Sequence, residues 1–547
     1  MKKNIGKILL LFCVSMVTIT GRAASETSDN NADTLVVICL NDFHGSFVQD
    51  RSLDIPGAGN IYSTVQKIKN RYPAHLVLAV GDNFGGSFFS NRTQGMLLPD
   101  FFQRLGITFS ALGNHEFDNG QHFLADKWSV SRPNDWDITY LCANVVDSKS
   151  GRIPAYAISD TICQIKLNDD IIKVGIVGLV TSSAGSGTKK ENVDGLTFRS
   201  DYKSVLDSIC CKESQKNADL QVLVAHIGTE MKDNEPQWME ENIKQMVPTS
   251  IDGVASGHSH KCVIGYVDKI PVVQGEISGK YIGLLRFVRG SDGWKSISPE
   301  LIKVEDVVDT SVGRAALDSI VNSHLVKADA PGMGMLCNVA YVKDTLLHDR
   351  NINSRSLTAL GSYVCMSYAY AYRKHVDKVN MGNVVIAFSH FGGIRRSMVP
   401  GVLDILSAGE VLPFVGNLKV YELTGKQIRK IIESGCNNPK GQLQMNNLVV
   451  DTVLIDNKCR VVNVHYVVPG HLDIILSDSE AYPVVVDEFI TTGGDGYPES
   501  LFPDSCMIKH MDGLFTTASF LNFLWTLDEE LTESYIYKAR MNTVWQH

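Results

Sequence analysis

The chain has 547 residues, 44% of them hydrophobic and 20% charged, which are the proportions of a globular protein and exclude wholesale disorder. Its 51 Lys and Arg against 60 Asp and Glu leave a formal charge of −9, which excludes the basic face that coating of a nucleic-acid polymer requires. At about 150 residues per domain, the length allows three or four domains, or two large ones.

Lys2, Lys3 and Lys7 precede an apolar run from Ile8 to Val17, and the small residues Gly21, Ala23 and Ala24 follow. This pattern predicts a secretory signal peptide over residues 1–23, cut after Ala23. The run falls short of the ~20 apolar residues that a spanning helix needs. No later segment is long and apolar enough either, so no membrane span is expected. Phe12 is a poor neighbour for Cys13 as a lipid-attachment cysteine. Losing Lys2, Lys3, Lys7 and Arg22 takes the formal charge to −13. The expectation is an exported acidic protein, periplasmic or secreted, and the opening Met-Lys-Lys fits a bacterial exporter. The 12 cysteines are scattered with no Cys-x-x-Cys, which predicts buried free thiols for most and no cysteine metal site.

From Asp33 to about Phe287, short apolar runs alternate with amphipathic stretches, as in an α/β domain with buried strands. The runs are Leu35–Leu40, Leu76–Val80, Thr108–Leu112, Lys173–Val180, Leu220–Ala225 and Ile251–Ala255. Residues 311–322 read as a helix, followed by a linker marked by Pro331, Gly332 and Gly334. A second block follows, with strands at Asn383–Phe388 and Val484–Val486 and helices at Thr358–Lys374 and Gly425–Ser434. The expected division is a signal at 1–23, a first domain at 33–305, a linker helix at 306–336 and a smaller second domain at 337–547.

Five of those apolar runs end in residues of one chemical kind. They lead into Asn41-Asp42-Phe43-His44-Gly45, Gly81-Asp82-Asn83, Gly113-Asn114-His115-Glu116, His226, and Gly257-His258-Ser259-His260. The carboxyl ends of strands in an α/β sheet form the edge where such folds bind ligands. Carboxylate, imidazole and amide groups are donors for mixed divalent-metal sites. The glycines at 45, 81, 113 and 257 allow sharp turns where a ligand is presented. A lone buried His is usually a hydrogen-bonded core residue, and a lone Gly-Asp is usually a turn. Joint occurrence at successive strand ends removes that reading.

The series Asp-x-His, Gly-Asp, Gly-Asn-His-Glu, His, Gly-His-x-His resembles the calcineurin-like metallophosphoesterases, and within them the secreted 5′-nucleotidase family. The resemblance implies an N-terminal metallophosphoesterase α/β sandwich and a smaller α/β substrate-binding domain joined by a linker helix. It implies two divalent ions, such as Zn or Mn. One would be held by Asp42, His44, Asp82 and His260; the other by Asp82, Asn114, His226 and His258. His115 and Asp118 resemble the family's dyad, which stabilises the transition state or protonates the leaving group. The implied reaction is release of phosphate from nucleoside 5′-monophosphates by in-line attack of a metal-bound hydroxide.

In the second block, Phe391–Arg395, Val411–Phe414, Tyr421–Ile428 and Phe489–Tyr497 resemble the family's C-terminal domain. There Phe414 and Phe489 would stack on the base, Asp495 would hold the ribose and Arg395 would contact the nucleoside. The chain departs from the family at two places. The family's Asn-Gly-Gly-Gly-Ile-Arg stands as His390-Phe391-Gly392-Gly393-Ile394-Arg395, which is expected to reshape the base-side pocket. Its Arg-Glu-x-x-Leu-Gly-Asn segment stands as Ser356–Ser362, with Arg355 one place out of register. Alternatives on the same metals are nucleotide-sugar hydrolysis and 2′,3′-cyclic-nucleotide hydrolysis; a third is an exported ligand-binding protein without catalysis. In this family the two domains rotate; the segment at 311–334 is compatible with a hinge and with a static connector.

Overall fold

The computed structural model describes residues 33–128, 138–291, 293–326, 334–376, 384–467, 473–508, 513–535 and 538–543. The signal-peptide reading of residues 1–23 and the linker residues Pro331 and Gly332 lie outside this set.

Strand Thr34–Leu40 is buried at every position, so both its faces are covered. Leu35, Val37 and Cys39 point into a core shared with a second sheet, whereas Val36, Ile38 and Leu40 pack towards helices. This strand is central to a sheet ordered Gly293–Lys303, Tyr281–Gly290, Thr34–Leu40, His75–Ala79, Ile107–Ala111, Thr139–Leu141, Ala157–Ile158. From Thr34–Leu40 onward the pairing is parallel; the two strands on its other side are antiparallel. The facing sheet is ordered Val263–Val267, Ile270–Gln274, Gly253–Gly257, Leu220–Lys232, Asp170–Val180, Asp160–Leu167. Leu76, Leu78 and Val80 meet Ile172, Val174, Ile176, Val222 and Val224 between the sheets. The first domain is therefore an α/β sandwich.

Two details differ from expectation. The metal-type residues come from two facing sheets and not from one sheet edge. The strand expected to stop before His226 runs from Leu220 to Lys232, with its register broken between Ala225 and Gly228. His226 sits at that break on one side and stays paired with Val180 on the other, so the strand does not end there.

Helix Val312–Val326 docks on helix Gly57–Arg71. Arg314 donates to Asp318 at 2.7 Å and to Asn60 at 3.1 Å, and Leu317, Val321 and Leu325 join the first domain's core. The connector thus packs as part of the sandwich up to residue 326.

The second domain is built on a sheet ordered Leu418–Thr424, Ala481–Asp487, Ile386–Ser389, Gln444–Met445. A second sheet is ordered Ile474–Ile475, Lys458–Tyr466, Leu448–Ile455, Arg540–Thr543. Helix Ala359–His375 starts where the Thr358 hydroxyl accepts from the Gly361 amide, an N-cap that satisfies one orphan donor. Helix Gly425–Cys436 opens with a Thr424–Gln427 capping box. The two domains touch directly: the Phe89 amide donates to Glu410 at 3.1 Å and Asn91 donates to the Pro413 carbonyl at 2.8 Å. All 11 described cysteines are free thiols, as expected, but only Cys39, Cys142, Cys210 and Cys365 are buried.

Candidate active site

Backbone strain marks the site first. Asp42, His44, Asp82, His258 and His260 have φ between 48° and 78°, the left-handed region that costs non-glycine residues energy. Five such residues lie on three loops that meet. Glycine serves them in two ways. Gly81 has φ 86° and makes the turn into Asp82 possible. Gly257 has ordinary φ, but a Cβ there would stand 2.9 Å from His226 Nδ1 and 3.0 Å from Asp42 Oδ2. Gly45 resembles Gly81 in its positive φ, whereas Gly113, like Gly257, is set by close approach, here to Asp82. Two of the four glycines expected to turn the chain therefore make room instead.

The donor atoms converge. Those of Asp42, His44, Asp82 and His260 lie within 4.8 Å of one another, as do those of Asp82, His226 and His258, so Asp82 belongs to both groups. His44 Nε2 stands 3.2 Å from His260 Nε2, and His226 Nε2 stands 3.1 Å from Asp82 Oδ2. Second partners orient the rings: His226 Nδ1 donates to the Val80 carbonyl at 2.8 Å, and His44 Nδ1 donates to the Gly85 carbonyl at 3.2 Å. With those Nδ1 contacts made, the Nε2 atoms of His44 and His226 face inward. Asn114 Oδ1 and His226 Nε2 are buried with no hydrogen-bond partner. Buried polar atoms are rarely left so. The donor set fits a pair of divalent ions.

The electrostatics point the same way. Burial lifts Asp42 to about 6 against the pull of His226, and burial and His226 together push His258 down to about 3. Burial would pull His226 down, but Asp82 outweighs it and lifts the ring to about 10; the Nε2 proton retained beside Asp82 is the one a bound cation would displace. Groups crowded together with opposed shifts are the pattern of functional sites. About +4 of ionic charge would invert this local field.

Glu116 holds the loops. Its carboxylate, fully buried, accepts from the amides of Asp82 at 2.9 Å, Asn83 at 2.9 Å and Gly113 at 2.6 Å. Burial and the nearby Asp82 lift it to about 7. Glu116→Gln replaces one acceptor oxygen by an NH2 facing amide donors. A buried group left unsatisfied costs about 1–3 kcal/mol. We expect a lower melting temperature and weaker metal binding from one substitution that touches no donor atom; thermal unfolding with and without added Mn or Zn measures both.

Next to the cluster, His115 Nδ1 lies 2.8 Å from Asp118 Oδ2, and the His115 amide donates to Asp82 Oδ1 at 2.9 Å. Burial pulls the His115 ring down, but Asp118 and Asp82 outweigh it and raise its pKa above the ordinary value. The ring stacks on Phe414 of the second domain, with centroids 5.6 Å apart at 10°, and the Arg395 guanidinium lies 5.7 Å from the Phe414 ring centre. Burial and Arg350 lower Arg395 to about 10, so it stays cationic at neutral pH. A cleft of about 340 Å³ spans the two domains. Its walls bring together Asp82, Asn114, His115, Asp118, His258 and His260 with Arg395, Phe414, Phe489 and Asp495.

Phe391 and Arg355 sit differently from their reading in sequence, whereas His390 stands at the pocket as read. Phe391 does not line this cleft; it is buried and stacks on His348, with centroids 3.8 Å apart. His390 does line it, tilted against Phe489 at 4.8 Å, with its Nδ1 unbonded and 3.6 Å from Asp487 Oδ2. Arg355 bonds the Asn438 carbonyl at 2.5 Å, away from the cleft, while Arg350, which sequence reasoning missed, lines it. The signal available for Arg350 was Asp349 before it, which caps the short helix Arg350–Asn353.

Residues 35–262 match the family model for calcineurin-like phosphoesterases, and residues 339–500 match that for the 5′-nucleotidase C-terminal domain. The chain belongs to the calcineurin-like phosphoesterases that carry a 5′-nucleotidase C-terminal domain. A 5′-nucleotidase of Rattus norvegicus is 24% identical over 88% of this chain and 86% of its own. Endonuclease YhcR of Bacillus subtilis is 21% identical over 76% of this chain, which spans only 34% of that longer protein. The crystal structure of a 5′-nucleotidase precursor from Thermus thermophilus superposes with a TM-score of 0.71 at 21% identity, covering 93% of this chain and 99% of that one. Family members are phosphoesterase hydrolases that use two divalent metals, and the family fold is the one described above. Among the described residues, no helix is long and apolar enough to cross a membrane.

Proposed function

We propose that this chain is an exported 5′-nucleotidase, a metal-dependent phosphohydrolase that releases phosphate from nucleoside 5′-monophosphates. The observation that carries this reading is the single cleft shared by the Asp/His cluster and by Arg395, Phe414, Phe489 and Asp495.

Asp42, His44, Asp82 and His260 would hold one ion, and Asp82, Asn114, His226 and His258 would hold the other. When bound, divalent ions lower the pKa of water to about 7 and neutralise phosphoryl charge. The protein's own part is positional and electrostatic. Arg395, kept cationic and set against the Phe414 ring, contacts the nucleoside from the second domain. His115, steadied by Asp118, donates to a phosphoryl oxygen or to the leaving ribose oxygen. Phe414 and Phe489 flank the base, where stacking is worth about 1–3 kcal/mol per base. Asp495 accepts from the ribose hydroxyls, and a charged acceptor makes such bonds about twice as strong as neutral ones. Arg350 joins Arg395 at the nucleoside end. His390 presents an imidazole where the family has an amide, so preference among bases is expected to depart from the family's. The domain limits are 33–305 and 337–547, with the connector between them. Residues 1–23, as a signal peptide removed on export, direct the protein beyond the cytoplasmic membrane, to the periplasm or outside the cell.

The test is phosphate release from AMP, UMP, GMP, UDP-glucose, 2′,3′-cyclic AMP and a simple sugar phosphate, with Mn, Zn and Ca varied. The 5′-monophosphates are expected to show the highest kcat/KM, and activity should vanish with a chelator and return with metal. Turnover of UDP-glucose or the cyclic nucleotide alone moves the activity to those substrates. No turnover of any member with any metal makes the protein a binder.

A further inference from the structure

A second and larger cavity, of about 730 Å³, opens beside the substrate cleft. Lys430, Lys440, Lys458 and Arg460 converge on it, against the two carboxylates Glu433 and Asp495. Four cations in one depression are unexpected on a chain of formal charge −9. Glu433 is already committed: it lies 3.6 Å from Arg460 and accepts from the Val461 amide at 2.9 Å. No described carboxylate pairs with the Lys430, Lys440 or Lys458 ammonium groups. The cavity adjoins the substrate cleft, since Lys440 and Asp495 line both. The wall between them is braced: Asn438 Nδ2 donates to the Asp495 carbonyl at 3.2 Å, and the Lys440 amide donates to Asn438 Oδ1 at 2.8 Å.

Resting on the assignment of Asp495 to the ribose hydroxyls, we propose that this cavity is an anion subsite for a second phosphoryl group on the ribose. The substrate class it adds is the nucleoside 3′,5′-bisphosphate. A group carried on the 3′ oxygen of a ribose held by Asp495 would point towards the side of Asp495 that Lys440, Lys458 and Lys430 line. Replacing a ribose hydroxyl by a phosphate ester removes a donor from Asp495 and puts a dianion beside it. The three lysines offset that repulsion and return charge-assisted hydrogen bonds. The chemistry is unchanged: the 5′ P–O bond breaks, the water oxygen joins phosphorus, the leaving 5′ oxygen takes the proton, and the nucleoside 3′-phosphate and inorganic phosphate depart.

The test compares adenosine 5′-monophosphate with adenosine 3′,5′-bisphosphate, in the wild-type protein and in a Lys430→Ala/Lys458→Ala variant. The ratio of kcat/KM for the bisphosphate to that for the monophosphate is read within each protein. Exposed ion pairs each contribute up to about 1 kcal/mol, so the wild-type ratio should exceed that of the variant by about tenfold at low salt. The excess should shrink at high ionic strength. A ratio equal in both proteins, or indifferent to salt, overturns the subsite. Titration calorimetry with adenosine 3′-phosphate, which carries no 5′ ester, separates the two readings. If no 5′-nucleotide is hydrolysed but this ligand binds the wild type and not the variant, the subsite stands and the nucleotidase reading falls. If nucleotides are hydrolysed and this ligand binds both proteins alike, the subsite falls alone.

Discussion

Asp82→Asn is expected to lower kcat on a 5′-nucleotide by at least ~10³-fold, about 4 kcal/mol of transition-state stabilisation, without unfolding the protein. Asp82 is the one side chain common to both groups of donor atoms, so a single substitution weakens both ion sites. The change is small in shape. Asn tolerates the left-handed backbone that Asp82 adopts at φ 49°, and its amide oxygen can still accept from the His115 amide. What it cannot reproduce is Oδ2. An NH2 there turns a donor towards His226 Nε2, 3.1 Å away, and occupies the lone pair meant for a cation. Phosphate release, bound-metal stoichiometry and a melting curve form the test. A variant with wild-type rate and two bound ions would remove Asp82 from the centre of the site.

The metal-type residues were legible because strand ends are local features. An apolar run that stops in Gly-Asp or Gly-Asn-His carries its own placement, and Asp42, Asp82 and Asn114 lie on loops directly after their strands. His226 was legible in kind but not in setting. A break in register depends on the neighbouring strand Gly253–Gly257, which no reading of Leu220–Lys232 alone contains. The second domain hid more. Arg350 and Arg355 differ little in sequence, and the Asn438 carbonyl, 83 residues downstream, decides which one turns away from the cleft. Phe391 looked like a ring added to the pocket, yet His348 draws it into the core and leaves His390 as the exchanged group at the base side. Glu116 was read only as part of a motif. Its three amide bonds tie two strand-end loops together, and that role appears only when those loops meet.

His115→Asn separates the two roles that the dyad motif leaves open. Loss of a general acid typically costs about 10²–10⁴-fold, and loss of one transition-state hydrogen-bond donor about 10²–10³-fold, so magnitude alone does not decide. The leaving group does. Ribose oxygen departs as a poor leaving group and needs a proton, whereas an aryl phosphate releases a stabilised phenolate. If His115 protonates the leaving oxygen, the variant should lose about 10³-fold on AMP but tenfold or less on an aryl phosphate. If it only steadies a phosphoryl oxygen, both substrates should fall together. The substitution keeps the amide bond to Asp82 Oδ1, since that is a backbone contact, and both ions should remain bound. It also removes the ring on which Phe414 stacks, a contact between the domains. Phe414→Ala is therefore the control: it breaks the same stack and leaves the His115–Asp118 pair in place. Its effect should fall on KM for nucleotides more than on kcat, because a flanking ring binds ground state and transition state alike. Equal losses of kcat in the two variants would assign the His115 effect to domain contact and not to chemistry at the phosphate.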